Sequence, residues 1–204
     1  MELQDVLRRR RMVRRYDADR GLAPEVLDRV LAAALRAPAA GGTEGRALLV
    51  LRTDADREAF WADCAPGGGD AWLTGMRTAP VLVLVLTDPG AYAARYARAD
   101  KPGPDRDAAT WSTPWPEVDA GMAAELLLLA AVDEGLGACL FGIPAAAHDR
   151  LRTRFAVPAG LRLVAAVSLG HRAPDEASRS SRPGPRRGLA QVAHDGRFGV
   201  AWGG

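Results

Sequence analysis

The sequence predicts an α+β fold, a sheet held between helical layers. Three observations lead there. Four short apolar runs of strand type, 47–52, 79–88, 138–142 and 161–170, are separated by stretches of helical period. Their order, α-α-β-α-β-(insert)-α-β-α-β-tail, lacks the regular alternation of a βαβ chain. One run, "APVLVLVLTD" at 79–88, is continuously apolar, so that strand has cover on both faces.

The elements follow in chain order. Leu3, Val6 and Leu7 fall at i, i+3, i+4 and predict a short amphipathic helix. Pro24 suits a first helical turn. Val26, Leu27, Val30, Leu31, Ala34 and Leu35 then repeat at helical period, and Pro38 stops the helix near Arg36. Small residues fill 38–46, "PAAGGTEGR", a loop. "ALLVLR" at 47–52 is a buried strand, and "DADREAFWADC" at 54–64 is a helix packing through Phe60 and Trp61. Residues 89–117 mix Tyr92, Tyr96, Trp111 and Trp115 with prolines and charges. A connection that long predicts a lid or binding insert. Residues 118–138 are apolar nearly all round and predict a central buried helix, with Gly135 or Gly137 at its C-terminal end. A short strand at 138–142, a helix at 145–155 and a core strand at 161–170 follow. The segment from 171 to 204 is rich in Arg, Ser, Pro and Gly and is expected to form a C-terminal arm. One domain over 1–204 is expected.

Composition excludes several function classes. Lys and Arg number 27 against 25 Asp and Glu, a net charge of +2, so the chain lacks the lopsided charge of a nucleic-acid binder. All but one of the basic residues are arginine, the exception being Lys101. Two cysteines and three histidines form no metal-ligand spacing. No apolar run approaches the ~20 residues of a membrane helix. A cytoplasmic, soluble protein is expected. No GxGxxG follows a strand, so no dinucleotide-binding turn is indicated.

Arg8, Arg9, Arg10, Arg11, Arg14 and Arg15 crowd the start of the chain. From composition alone they form a solvated face or a site for an anion, since paired arginines match phosphate geometry. Taken with later segments the pattern narrows. "RRRMVRRYD", a helix, "RAPAAGGTEG" and a strand, then "VDAGMAAELLLLAAVDEGLGACLFGIP", "AVSLGHRAPD" and "RRGLAQVAHDG" together resemble the nitroreductase superfamily of flavoproteins.

The resemblance implies a three-layer α/β/α sandwich with a mostly antiparallel sheet, in an intertwined homodimer carrying two FMN sites at the subunit interface. It implies hydride transfer through flavin N5 to or from a small planar substrate, with NAD(P)H as the usual electron donor. Carried over residue by residue, Arg10 and Arg14 hold the phosphate and ribityl chain, with Arg11 and Met12 in the same segment. Arg187, or Arg186 as the second choice, completes the phosphate site. Pro38, Ala39, Ala40, Gly41 and Gly42 run along the flavin ring, and Gly142 lies near its N5 and O4 edge. Tyr92, Tyr96, Trp111 and Trp115 are the candidates for substrate contact.

The sequence departs from the family pattern in this region. Met12 stands for the usual Ser, Gly42 for Asn and Glu44 for Gln, with Gly45-Arg46 after it. Glu44 is then either a charge beside the flavin with an acid/base or substrate-anchoring role, or an ion-pair partner of Arg46. These departures point to a specialised biosynthetic oxidoreductase. The alternative is a non-catalytic binder of flavin or another anionic ligand.

Overall fold

The computed structural model describes residues 1–101, 107, 110–174 and 187–203. Its centre is a four-stranded sheet of β1 (Arg46–Leu51), β2 (Val81–Thr87), β3 (Gly137–Phe141) and β4 (Arg162–Gly170), in the order β1-β2-β4-β3. Every neighbouring pair is antiparallel. All seven residues of β2 are buried. Pleating explains why: successive side chains point to opposite faces. Val81, Val83 and Val85 enter one core, while Leu82, Leu84 and Leu86 enter the other.

The valine face is covered by α2 (Pro24–Ala34) and α6 (Trp115–Asp133), through Leu27, Val30, Ala123, Leu127 and neighbours. The leucine face is covered by α3 (Asp54–Cys64), α4 (Ala71–Met76) and α7 (His148–Arg154), through Phe60, Trp61, Leu73, Met76 and Leu151. Helices thus cover both faces of the sheet. The chain also contains α1 (Leu3–Arg9), α5 (Pro89–Tyr96) and α8 (Leu189–Val192).

Two helices go beyond what periodicity predicts. Asp70 caps α4 by accepting from Leu73 N at 3.0 Å. Within the insert, Asp88 caps α5 by accepting from Gly90 N at 2.9 Å, and Pro89 opens that helix. The long helix α6 starts three residues before Val118, at Trp115, and ends on Gly135 at φ +73°. There Leu136 N donates to Ala131 O at 2.7 Å and Gly135 N to Val132 O at 3.0 Å, the paired bonds of a Schellman ending. The expectation that α6 is buried all round needs correction. Ala120, Ala123, Ala124, Leu127, Leu128 and Ala131 face the core, while Met122, Leu126 and Leu129 are half-exposed and Val118 is exposed. The protomer has one sheet to cover, and its far side leaves that stripe open.

An ionic tie joins α3 to α7. Asp63 is buried, and its carboxylate accepts from Arg154 Nε and, at 3.2 Å, from Arg154 Nη2, with Arg150 Nε 3.7 Å away. Arg154 holds this carboxyl below the usual carboxylate range despite its burial. A depressed folded pKa adds stability above the unfolded value, and that stability is lost as pH falls through the folded one. Both arginines are about half exposed and regain water when released, which moderates the effect. Asp63→Asn is therefore expected to lower Tm by about 3–6 °C at pH 7. Thermal melts across pH check this: the gap to wild type should close as pH falls below about 4.

Candidate functional site

The arginine segment is laid along the β3 edge of the sheet. Met12 bridges Ala138 of β3 in parallel, and Val13 N donates to Ala138 O at 2.9 Å. Tyr16 fastens its far end. The ring is buried, and its hydroxyl donates to Val13 O at 2.7 Å and meets Ser168 Oγ at 2.7 Å. Its backbone N–H donates to Thr78 Oγ1 at 2.8 Å. Backbone bonds from Asp17 N to His171 O and from Ala173 N to Arg15 O complete the attachment.

The arginines separate by role. Arg11 folds back on the end of α1, donating to Arg8 O at 2.8 Å and Arg10 O at 2.9 Å, so it caps a helix. Met12 turns its side chain onto the core, which accounts for an apolar residue where a hydroxyl is usual. Arg10 is half-buried, and its Nε stands 3.6 Å from Glu125 of α6. Arg14 is half-buried, and its Nη1 donates to Met12 O at 3.2 Å. Arg9 and Arg15 are exposed.

Gly142 follows β3 on the same edge and borders a cavity of about 340 Å3. Trp61 and Phe141 stack at 5.4 Å in its wall, and Trp72 meets Phe141 edge-on at 5.9 Å. These aromatics were not singled out for the site from sequence, because Trp61 reads as core and Trp72 hides in a glycine-rich stretch. Cys64 also lines the cavity. Burial pushes its thiol up to about 12, so it is a neutral wall atom and not a thiolate.

The small-residue loop lies at the opposite, β1 edge. It folds into a 3-10 turn at Ala40–Gly42, clamped from three sides. Asp119 of α6 accepts from Ala40 N at 2.7 Å. Arg95 of α5 donates from Nε to Gly41 O at 2.9 Å. Arg46 donates from Nη1 to Ala37 O at 2.7 Å. Gly41 takes φ +66°, and a Cβ there would stand 2.9 Å from the Tyr96 ring. Only glycine meets both conditions without strain. Pro38 and Gly42 are exposed, and Ala39 and Ala40 half-buried. The Glu44 carboxylate is exposed and pairs with Arg46 Nη2 at 3.2 Å.

The insert residues divide. Tyr92 is a correction to the expected substrate set. It is 1% exposed, and its hydroxyl donates to Asp119 Oδ2 at 2.8 Å. Burial and the Asp119 carboxylate raise its pKa and keep the phenol protonated. Tyr96, Trp111 and Trp115 instead line a cavity of about 540 Å3 with Ala40 and the hydroxyl-bearing Thr110, Ser112 and Thr113. Tyr96 and Trp111 meet edge to face at 4.8 Å.

The candidate residues thus form two groups. Between β1 and the Met12 segment lie four strand spacings, about 19 Å. One protomer does not bring the arginines and Gly142 onto the 38–42 loop. Arg186 lies outside the described residues. Arg187 is exposed at the start of 187–203, a segment with backbone bonds of its own from Gln191 N to Gly188 O, Ala193 N to Leu189 O and Asp195 N to Val200 O. Leu189, Phe198 and Trp202 of that segment are exposed. Among the described residues no His, Cys, Asp and Glu cluster is arranged to hold a metal ion, and no helix is long and apolar enough to cross a membrane.

The sequence model of the nitroreductase family matches residues 7–68 and 68–171. The chain belongs to the nitroreductase family. Solved structures agree with this nitroreductase fold. A Desulfovibrio desulfuricans chain assigned as a nitroreductase, in complex with FMN, is 26% identical, with TM-score 0.71 over 97% of this chain and 98% of that one. NfrA2 of B. megaterium superposes with TM-score 0.74 at 18% identity, over 97% of this chain and 75% of that one. An uncharacterized 15.4 kDa protein of Mycolicibacterium smegmatis is 44% identical over 89 residues, 40% of this chain. The match spans 58% of that relative's length.

Proposed function

We propose that this nitroreductase-family chain is an FMN-dependent oxidoreductase acting on a small planar substrate, as a homodimer with composite sites. The observation that carries the reading is the split of the site. Cations and an open backbone at Gly142 lie on one sheet edge, and a clamped small-residue turn with an aromatic cavity lies on the other. A two-fold dimer can set the first edge of one protomer against the second edge of its partner. The half-open apolar stripe of α6 and the exposed Leu189, Phe198 and Trp202 supply surface such a dimer would cover.

The residues present fit FMN. Arg10 and Arg14 are partly buried cations on the β3 edge, a residue type suited to a phosphate dianion. A Cβ added at Gly142 would meet nothing within 4 Å, so the backbone there is open to a planar ring. FMN, when bound, supplies hydride chemistry at N5, with NAD(P)H as the proposed donor. The chain's own residues bind and orient. The arginines hold the phosphate, with Arg187 completing that site from the C-terminal arm. The Asp119, Arg95 and Arg46 clamp keeps the 40–42 turn from shifting. Tyr96, Trp111 and Trp115 orient a planar substrate and restrict water. Glu44, spent on Arg46, leaves the turn without a free carboxylate. The altered loop supports a specialised biosynthetic member over a broad reductase.

The test is a visible spectrum of the purified protein with mass analysis of what heat releases. A flavin band with released FMN is expected, together with slow turnover of NADH, NADPH and simple quinones. A colourless protein that takes up no added FMN overturns the reading in favour of a non-catalytic binder.

A further inference from the structure

The backbone that carries Arg14 is fixed on both sides of that residue. Before it, Val13 N donates to Ala138 O at 2.9 Å, and Val13 O accepts from the Tyr16 hydroxyl at 2.7 Å. After it, Arg15 O accepts from Ala173 N at 3.1 Å, and Tyr16 N donates to Thr78 Oγ1 at 2.8 Å. Two glycines let the segment lie this close to its neighbours. A Cβ at Gly75 of α4 would collide with the Arg14 carbonyl, and one at Gly170 of β4 would stand 2.9 Å from Cδ1 of the Tyr16 ring.

The Tyr16 hydroxyl ties this segment to the interior of the sheet. A carbonyl only accepts, so Tyr16 gives its hydrogen to Val13 O. The 2.7 Å contact with Ser168 Oγ then takes its hydrogen from Ser168. Tyr16 is 2% exposed and Ser168 is fully buried, so water does not replace either bond once it is lost. The guanidinium follows the same backbone. Arg14 Nη1 donates at 3.2 Å to Met12 O, the carbonyl of the very peptide whose N–H, at Val13, is held by Ala138.

We propose that Tyr16 is a positioning residue that sets selectivity for a phosphorylated flavin over an unphosphorylated one, by holding Arg14 where its guanidinium meets the phosphate. The proposal rests on the flavin reading above. Two-pronged binding of a phosphate tolerates little displacement of the guanidinium. The flavin ring, on that reading, is held at Gly142 and the 40–42 turn, so a shift of the Arg14 backbone weakens the phosphate contact first.

Titration of full-length, flavin-stripped protein with FMN and with riboflavin tests the inference. Wild type is expected to prefer FMN at least about tenfold. Tyr16→Phe should weaken FMN binding about tenfold and leave riboflavin within about twofold. In an Arg14→Ala background Tyr16→Phe should cost FMN nothing further, since both act through one guanidinium. Urea midpoints confirm that each variant is folded, and Ser168→Ala, expected to give a smaller FMN-specific loss, decides the matter if Tyr16→Phe is not. Equal losses for both flavins, unchanged FMN affinity, or a full additional loss in the Arg14→Ala background overturns the proposal. Wild type that binds both flavins alike overturns it too and leaves the flavin reading standing. Wild type that binds neither overturns both.

Discussion

Asp119→Ala is expected to lower unfolding stability by about 2–5 kcal/mol and to strip the protein of bound flavin, the largest stability effect foreseen for a single side chain here. The carboxylate is 2% exposed and one of its oxygens takes two donors, Ala40 N at 2.7 Å and Tyr92 Oη at 2.8 Å. Alanine leaves both donors behind. The Tyr92 hydroxyl is fully enclosed and cannot recover a partner from solvent, whereas Ala40 is half-buried and can recover part of its loss. A domain of this kind has roughly 5–15 kcal/mol in total, so the loss is a large fraction. The same bond anchors the 40–42 turn to α6, so the turn loosens as well. Asp119→Asn keeps an acceptor oxygen and is expected to recover most of the stability. Tyr92→Phe removes one donor and leaves Ala40 paired, so it should lie between wild type and Asp119→Ala. Urea unfolding with the flavin-to-protein absorbance ratio checks the series. A cost below about 1 kcal/mol for Asp119→Ala would show that the clamp does not hold the turn.

Asp119 also marks where the sequence stops being legible. The strands and α3 were readable to within a residue or two, because continuous apolar runs and helical period are local signals. The α5 start was readable too: Asp88-Pro89 is a capping residue followed by a helix-opening proline. The eye passes over it because the insert around it carries prolines and charges. An acid inside an apolar helix is different. Asp119 reads as a break in hydrophobicity, and its partners, Ala40 and Tyr92, are 79 and 27 positions away. Tyr16 is similar. It closes the arginine motif, yet its meaning comes from Ser168, 152 residues on. Tyr92 misled for the opposite reason. Within the insert it looks like its neighbours Tyr96 and Trp111, and helix phase puts Tyr92 and Tyr96 on one face, so neither composition nor period tells them apart. In α5, Tyr92 and Tyr96 are four apart, yet the first is buried with its hydroxyl on Asp119 and the second lines the cavity. The division of the site between two sheet edges was likewise invisible in chain order and follows from strand order alone.

That division yields the prediction with the largest effect on activity. Arg14→Ala removes the proposed phosphate contact on the β3 edge and is expected to weaken FMN retention far more than Arg9→Ala, whose side chain is exposed. Gly41→Val damages the β1 edge, since its Cβ would press on Tyr96 from a positive φ that a β-branched residue adopts at a cost of about 1–2 kcal/mol. Each homodimer is expected to lose most of its flavin and turnover. Co-expressed, the two chains also form mixed dimers. If each site takes Arg14 from one protomer and the Gly41 turn from the other, one site of a mixed dimer carries both lesions and its twin carries none. Tandem-tag purification of the mixed species should then recover about half the wild-type flavin and activity per dimer. A site built within one chain predicts the reverse, because every site of the mixed dimer keeps one lesion. Recovery at the level of the parent variants would place the arginines and the turn in separate roles and remove the composite site.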